Sequence, residues 1–218
     1  MSRPHVTLKL ATSLDGRIAT AAGESRWITG ELARQQVHMM RAQVNAVMIG
    51  AGTARADNPS LTARTDPPPA KQPTRIVVTT RLDLDPESTL FDGAAPLILF
   101  SAERAGPARQ AIFEAMGVKI EQVARHGDGV DVGAVLDRLG ALGVDDVLVE
   151  GGGKLAASLI AAGAVDQLEW FRAPVILGAE GRPAVAALSY AGLAGAPKWR
   201  RLAAATLGPD LWESYERA

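Results

Sequence analysis

Asp15, Ser25, Arg41, Thr53, Asp57 and Arg64 stand among glycines in the first third of the chain. Carboxylates, hydroxyls and two arginine forks at the ends of alternating strand and helix patterns are the groups with which an α/β domain holds an anionic ligand. Guanidinium forks with hydroxyls suit a phosphate monoester. Within Gly50 to Arg64, Thr53 can donate or accept at a phosphate or amide and Asp57 can orient a polar group. Asn58-Pro59 fixes a turn that holds Leu61 and Arg64 inward. The plainer alternative, turn chemistry at Asp57-Asn58-Pro59 and a solvated Arg64, stays open on these residues alone.

A second constellation, Val149-Glu150-Gly151-Gly152-Gly153-Lys154-Leu155-Ala156, runs from a strand through glycines into a helix. Glycines admit a phosphate to the backbone, and the first helical amides can donate to it. Gly151-x-Gly153-x-x-Ala156 fits the relaxed dinucleotide fingerprint, although a Rossmann domain carries that pattern after its first strand. Leu155 after Lys154, with no glycine at position 148, excludes a nucleotide-hydrolase phosphate loop. A simple tight βα turn is the alternative. Asp15 reads as a turn residue capping its loop, Trp27 as a hydrophobic staple or a cover for a flat ring, and His38 as structural. Trp170, Trp199 and Trp212 read as core or interface.

The elements that must position these groups follow from periodicity. Val6, Leu8 and Leu10 alternate with Thr7, Lys9 and Ala11, which predicts a strand with Lys9 on the face opposite the aliphatics. Thr29 is the expected N-cap of a helix carrying Ala33, Val37, Met40 and Val44, with Arg34, His38 and Arg41 as a second stripe. Ala46 to Ile49 reads as a buried strand ending in a tight turn at Gly50-Ala51-Gly52. Pro67 to Pro73 reads as an exposed connection. Strands are expected at 75–79, 96–100, 118–123 and 146–149, and helices at 107–116, 132–142 and 154–162, with Gly163 as a stop. Late strands at 168–177, 199–204 and 211–215 have no helices between them. The expectation is an α/β fold with a mostly parallel central sheet flanked by helices and a C-terminal antiparallel hairpin.

With 218 residues, 47% hydrophobic and 22% charged, the chain is expected to form one globular domain, residues 1–218. A formal net charge of −1 gives no general attraction for nucleic acid. Cysteine is absent and only His5, His38 and His126 are present, scattered, so no metal site is expected. No window approaches a membrane span, and the expected compartment is the cytoplasm.

Taken together, Arg3 to Ala11, Ser13-Leu14-Asp15-Gly16-Arg17, Gly23 to Thr29, Arg41-Ala42, Gly52 to Arg64, Glu150-Gly151-Gly152, Ala173-Pro174 and Gly208-Pro209-Asp210 resemble the reductase domain of riboflavin biosynthesis, the C-terminal half of the bacterial bifunctional deaminase-reductase. The resemblance implies a dihydrofolate-reductase-like fold and NADPH-dependent reduction of 5-amino-6-(5-phosphoribosylamino)uracil to the ribityl form. It implies substrate contacts at Ser25, Arg41, Leu61, Arg64 and Glu150. It implies cofactor contacts at Ala11, Trp27, Thr53, Asp57, Gly152, Gly153, Lys154, Leu155, Ala156, Ala157 and Ser158. Lys9 and Asp57 are the candidates for proton relay or polarisation, and Arg81 is a candidate for the cofactor 2′-phosphate on its charge and location. Asn58 stands where the family often has a second aspartate. The zinc deaminase signature needs cysteines this chain lacks, so a reductase without a deaminase domain is expected, as a homodimer if it follows family habit. The alternatives are a same-fold reductase of the 2,5-diamino pyrimidinone phosphate or of dihydrofolate, and a non-catalytic nucleotide-binding module.

Overall fold

In the computed structural model, which describes residues 2–26, 28–102 and 106–218, the first strand follows its alternation: Val6, Leu8 and Leu10 are buried and Lys9 and Ala11 are half-buried. In chain order the elements are β1 (His5–Thr12), β2 (Arg17–Ala19), α1 (Glu31–Gln43), β3 (Ala46–Gly50), α2 (Ala51–Asp57), β4 (Thr74–Thr79), β5 (Leu97–Ala102), α3 (Pro107–Ala115) and β6 (Lys119–Val123). There follow β7 (Arg125–His126), β8 (Gly129–Val130), α4 (Val132–Ala141), β9 (Asp146–Val149), α5 (Gly153–Ala161), β10 (Gln167–Arg172), β11 (Arg182–Pro183), β12 (Trp199–Leu207) and β13 (Asp210–Arg217). The chain divides into two compact units, Met1–His5 with His38–Leu148 and Val6–Val37 with Val149–Ala218.

In the first unit the strands run in the order β9-β3-β4-β5-β6, with β3 to β6 paired parallel. The first four residues of β3, Ala46 to Ile49, are fully buried, as the continuous apolar run of a central parallel strand requires. Val47, Ile49, Val77, Leu82, Leu90, Leu99 and Phe113 form one cluster, each burial contributing roughly 1.5–3 kcal/mol. Asp131 caps α4 by accepting from the amides of Gly133 and Ala134.

In the second unit β1 pairs parallel with β10, β10 antiparallel with β13, and β13 antiparallel with β12. The expected hairpin turns through Gly208, whose φ of 65° is a left-handed conformation that glycine adopts freely. The aromatic rings of Phe171 and Trp212 stack at 6.0 Å. Small pairs β2/β11 and β7/β8 lie outside the expected elements.

Three expectations need correction. Helix α1 begins at Glu31, so Gly30 rather than Thr29 occupies the cap, and the Asp210 carboxylate takes the Gly30 amide at 2.6 Å. Gly50-Ala51-Gly52 is no tight turn but a direct passage from β3 into α2, drawn into a helix by the burial of Ala54. Strand β10 ends at Arg172, short of Leu177. Beyond it Pro174 has no amide to give, and the amides of Leu177 and Gly178 turn to the Asp15 carboxylate.

Candidate functional site

The first unit holds its chemistry on the loop that follows α2. Asn58 closes α2 in the left-handed conformation, its amide donating to the Ala54 carbonyl. Its side-chain oxygen accepts the Thr89 amide at 2.8 Å, a bond an aspartate would make equally, which explains how asparagine serves here. The Thr89 hydroxyl donates to the Asn58 carbonyl at 2.6 Å. Leu61 has φ 56° and is only 2% exposed, its side chain packed in the core. Arg41, in the last turn of α1, donates from Nη1 to the Thr62 carbonyl at 3.0 Å. Gln72 brackets Ala63, accepting its amide at 2.8 Å and donating to its carbonyl at 2.9 Å. The Arg64 amide donates to His38 Nδ1 at 3.2 Å, and the Arg64 guanidinium lies 3.3 Å from Nε2. A neutral imidazole accepts on one nitrogen only, so the amide and the guanidinium share His38 in turn. The structure thus brings Arg41, Leu61 and Arg64 together and gives His38 the structural role expected of it.

Thr53 and Asp57 are four residues apart on α2 and share a face, Thr53 half-buried and Asp57 exposed. Arg55 of the same helix is paired with Asp83 at 2.7 Å. Arg81 is exposed in the turn after β4.

In the second unit the central observation is an ion pair. Lys9 Nζ lies 3.8 Å from Glu150 Oε2, with side chains 14% and 8% exposed. Ala11 follows on the same face of β1. Glu150 leads into Gly151, at φ 113° with open space where a Cβ would stand, and a cis peptide joins Gly151 to Gly152. Gly152 is the N-cap of α5 without a side-chain cap, and the first intrahelical bond is Ala156 N to Gly152 O at 3.0 Å. The amides of Gly153, Lys154 and Leu155 precede that bond and point out of the helix end. The side chains of Leu155, Ala156 and Ala157 are buried, and the Ser158 hydroxyl donates to the Lys154 carbonyl at 3.0 Å. Any ligand at this end is therefore met by backbone amides. Gly153 is glycine for another reason: a Cβ would fall 2.6 Å from the Pro183 carbonyl. Ser25 is half-buried on the connection from β2 to α1, and Trp27 lies outside the described residues.

Asp15 caps its loop as expected. The Ser13 hydroxyl first, then the Leu177 and Gly178 amides, hold its carboxyl down to about 2. Beside it a cleft of about 460 Å³ is lined by Leu14, Trp170, Arg172, Glu213 and Tyr215. Glu213 pairs with Arg172 at 2.7 Å and accepts from Tyr215 at 2.9 Å. Burial, then this hydrogen bond, push the Tyr215 phenol above its ordinary value. Buried ionic groups that escaped the sequence reading are Arg75, Glu121, Glu213 and Glu169, the register partner of Lys9. Glu169 is held by Gln167, Ser214 and Trp212 at 2.5–2.7 Å. Strand alternation marks such positions only as one face or the other; their partners sit on separate elements. Among the described residues no cluster of three or more His, Asp or Glu side chains is placed to hold a metal ion.

Comparison with known proteins agrees with this layout. The profile of the RibD C-terminal domain matches residues 4–212. The chain is 35% identical over 210 residues to the riboflavin biosynthesis protein RibD of Bacillus amyloliquefaciens, covering 95% of this chain and 56% of that protein's length. It is 35% identical over 217 residues to the 2,5-diamino-6-ribosylamino-4(3H)-pyrimidinone 5′-phosphate reductase of Methanothermobacter thermautotrophicus, covering 98% of both. The solved structure of Acinetobacter baumannii RibD superposes with a TM-score of 0.84 at 29% identity, over 99% of this chain and 58% of that one. At 15% identity and a TM-score of 0.54, the Enterococcus faecalis dihydrofolate reductase shares the fold, as the sequence resemblance implied. By the match of its profile over nearly the whole length and by these relatives, the chain belongs to the RibD C-terminal domain family.

Proposed function

We propose that this protein is an NADPH-dependent reductase of riboflavin biosynthesis that converts the ribosylamino group of 5-amino-6-(5-phosphoribosylamino)uracil to the ribitylamino form. The mostly buried Lys9–Glu150 pair beside the glycine-led, uncapped start of α5 carries the reading. It sets a charged proton donor next to a helix end suited to the pyrophosphate of a dinucleotide. The outward amides of Gly153, Lys154 and Leu155, with open space at Gly151, fit that group. When bound, NADPH supplies the hydride. The protein's own residues orient and polarise. The ribosylamine opens to an imine whose carbon C1′ is reduced, and Lys9 Nζ holds the proton that the adjoining nitrogen requires, with Glu150 fixing the ammonium. In the first unit Arg41 and Arg64 are suited to the 5′-phosphate with Leu61 beside them as a substrate position, and in the second unit Ser25 is a further candidate for substrate contact. Ala11, Trp27, Thr53, Asp57 and the α5 start from Gly152 onward attend the cofactor, Asp57 as a second candidate for polarisation and Arg81 for its 2′-phosphate.

The same-length relative named for the undeaminated diamino compound makes that pyrimidine the rival substrate. NADPH oxidation with the deaminated pyrimidine phosphate, the diamino compound and dihydrofolate in parallel decides among them. Turnover of the first alone supports the proposal, turnover of another reassigns the substrate, and NADPH binding without oxidation of any supports a non-catalytic module. No helix among the described residues is long and apolar enough to cross a membrane. The reading places the reaction with the cytoplasmic nicotinamide pool, away from nucleic acid. It further proposes a homodimer, supported by the long exposed edge strand β12, which sedimentation velocity tests.

A further inference from the structure

Arg75, near the start of β4, is 1% exposed, the largest side chain sealed in the core. Its neighbours Ile76, Val77 and Val78 fill the same strand with aliphatic groups, and an aliphatic residue at position 75 would avoid stripping a guanidinium of water. What the guanidinium does, and no aliphatic can, is fix oxygens on separate segments. Nη2 donates to the Ala95 carbonyl at 2.6 Å and Nη1 to Asp92 Oδ1 at 2.9 Å. Nη1 also approaches the carbonyls of Ser60 and Thr89, each at 3.4 Å. Thr89 is in turn bonded to Asn58 through its amide and through its hydroxyl, which is shared between the Asn58 carbonyl and Oδ1, so the 3-10 turn Thr89–Phe91 and the loop after α2 are laced together around Arg75. The placement relative to Leu61 is decisive. Leu61 holds a left-handed backbone that a leucine does not adopt unaided. Arg75 takes the carbonyl before it, at Ser60, and Arg41 takes the carbonyl after it, at Thr62.

We infer that Arg75 is a positioning residue that clamps the twisted main chain at Leu61 from inside the core and so sets how the loop presents Arg64 to the substrate phosphate. The inference rests on the reading of that loop as the phosphate-binding segment. It predicts that loosening Arg75 weakens the pyrimidine phosphate and leaves the cofactor and the chemical step alone.

The test compares Arg75→Met, Arg75→Lys and Asp92→Asn with the wild type in steady-state kinetics and in amide hydrogen exchange. Arg75→Met should raise KM for the pyrimidine phosphate at least tenfold, with kcat and the KM for NADPH within twofold. Arg75→Lys keeps the charge beside Asp92 but cannot span Ser60 and Ala95, and should raise the same KM several-fold. Exchange at Ala63 and Arg64, whose amides Gln72 and His38 hold only while the loop keeps its course, should quicken at least tenfold while strands β3 to β5 stay protected. A folded Arg75→Met enzyme with unchanged KM overturns the inference, as does a parallel fall in kcat and both affinities. If Arg75→Met does not fold, Arg75→Lys and Asp92→Asn decide, and unchanged KM and exchange in both overturn it. A wild type that does not turn over the pyrimidine phosphate refutes the functional reading alone, because the exchange measurement still tests the clamp without substrate.

Discussion

Removing one partner of the Lys9–Glu150 pair takes a close counter-charge from the other where little water reaches it. At 3.8 Å, with an effective dielectric constant of about 20, the attraction between the two groups is about 4 kcal/mol. Loss of one member of a buried pair costs about 3–5 kcal/mol, most of it the unrelieved desolvation of the survivor. Lys9→Met and Glu150→Gln should therefore each lower stability by about 3–4 kcal/mol, or roughly 6–15 °C in melting temperature for a chain of this size. The double variant strands no charge, so its loss should fall short of the sum of the singles by about 2–4 kcal/mol. Urea unfolding of the four proteins, followed by circular dichroism with equal denaturant slopes, closes the cycle. All three variants should lack NADPH-dependent reduction, and the double variant should be inactive while folded. Additive losses, with coupling below about 0.5 kcal/mol, would falsify the claim that the two side chains act as a pair.

Arg64→Ala should raise KM for the pyrimidine phosphate by about 10- to 100-fold, the worth of a charge-assisted hydrogen bond, while kcat and melting temperature hold; an unchanged KM removes Arg64 from the site. Gly153→Ala places a Cβ 2.6 Å from the Pro183 carbonyl and should cost about 1–3 kcal/mol in thermal unfolding, whereas a neutral result would show that the 183–186 segment yields freely. Asp15 has a folded value of about 2 against an ordinary 3.8, so its hold on the 177–178 loop is complete above 3.8 and is lost as pH falls through about 2. Hydrogen exchange at Leu177 and Gly178 should stay slow across that window and become fast at every pH in Asp15→Ala; equal exchange in the two proteins would dismiss the anchor.

Periodicity was enough to read β1, β4, β5 and helices α3 to α5, because their apolar residues repeat at the spacing of the element itself. It failed at α2, where a glycine and the Asp57-Asn58-Pro59 run signal a turn, and where tertiary burial of Ala54 overrides weak local preference. Residue chemistry pointed to Arg41 and Arg64, and the family resemblance brought in Glu150 beside the candidate Lys9; the structure pairs Lys9 with Glu150 and bonds Arg41, on α1, to the loop that carries Arg64. The sequence did not show that Leu61 is sealed in the core on a left-handed backbone, nor that Arg75 faces inward. Both facts depend on a left-handed backbone and on oxygens contributed to Arg75 by residues up to 20 positions away in the chain, which a linear pattern does not encode.

The loop after α2 is fastened almost entirely by its main chain, through the carbonyls of Asn58, Ser60 and Thr62 and both backbone groups of Ala63. Within it the hydroxyls of Ser60 and Thr62 bond to each other at 2.6 Å and Ala63 is packed in the core. The loop behaves as a mount with one changeable face: the exposed position 64 can be varied in a library to suit a different ligand group while the buried Leu61 and Ala63 stay put. What holds the mount is Arg41, Gln72 and Arg75, which belong to other parts of the chain, so a change at any of them reaches the loop without altering a residue in it.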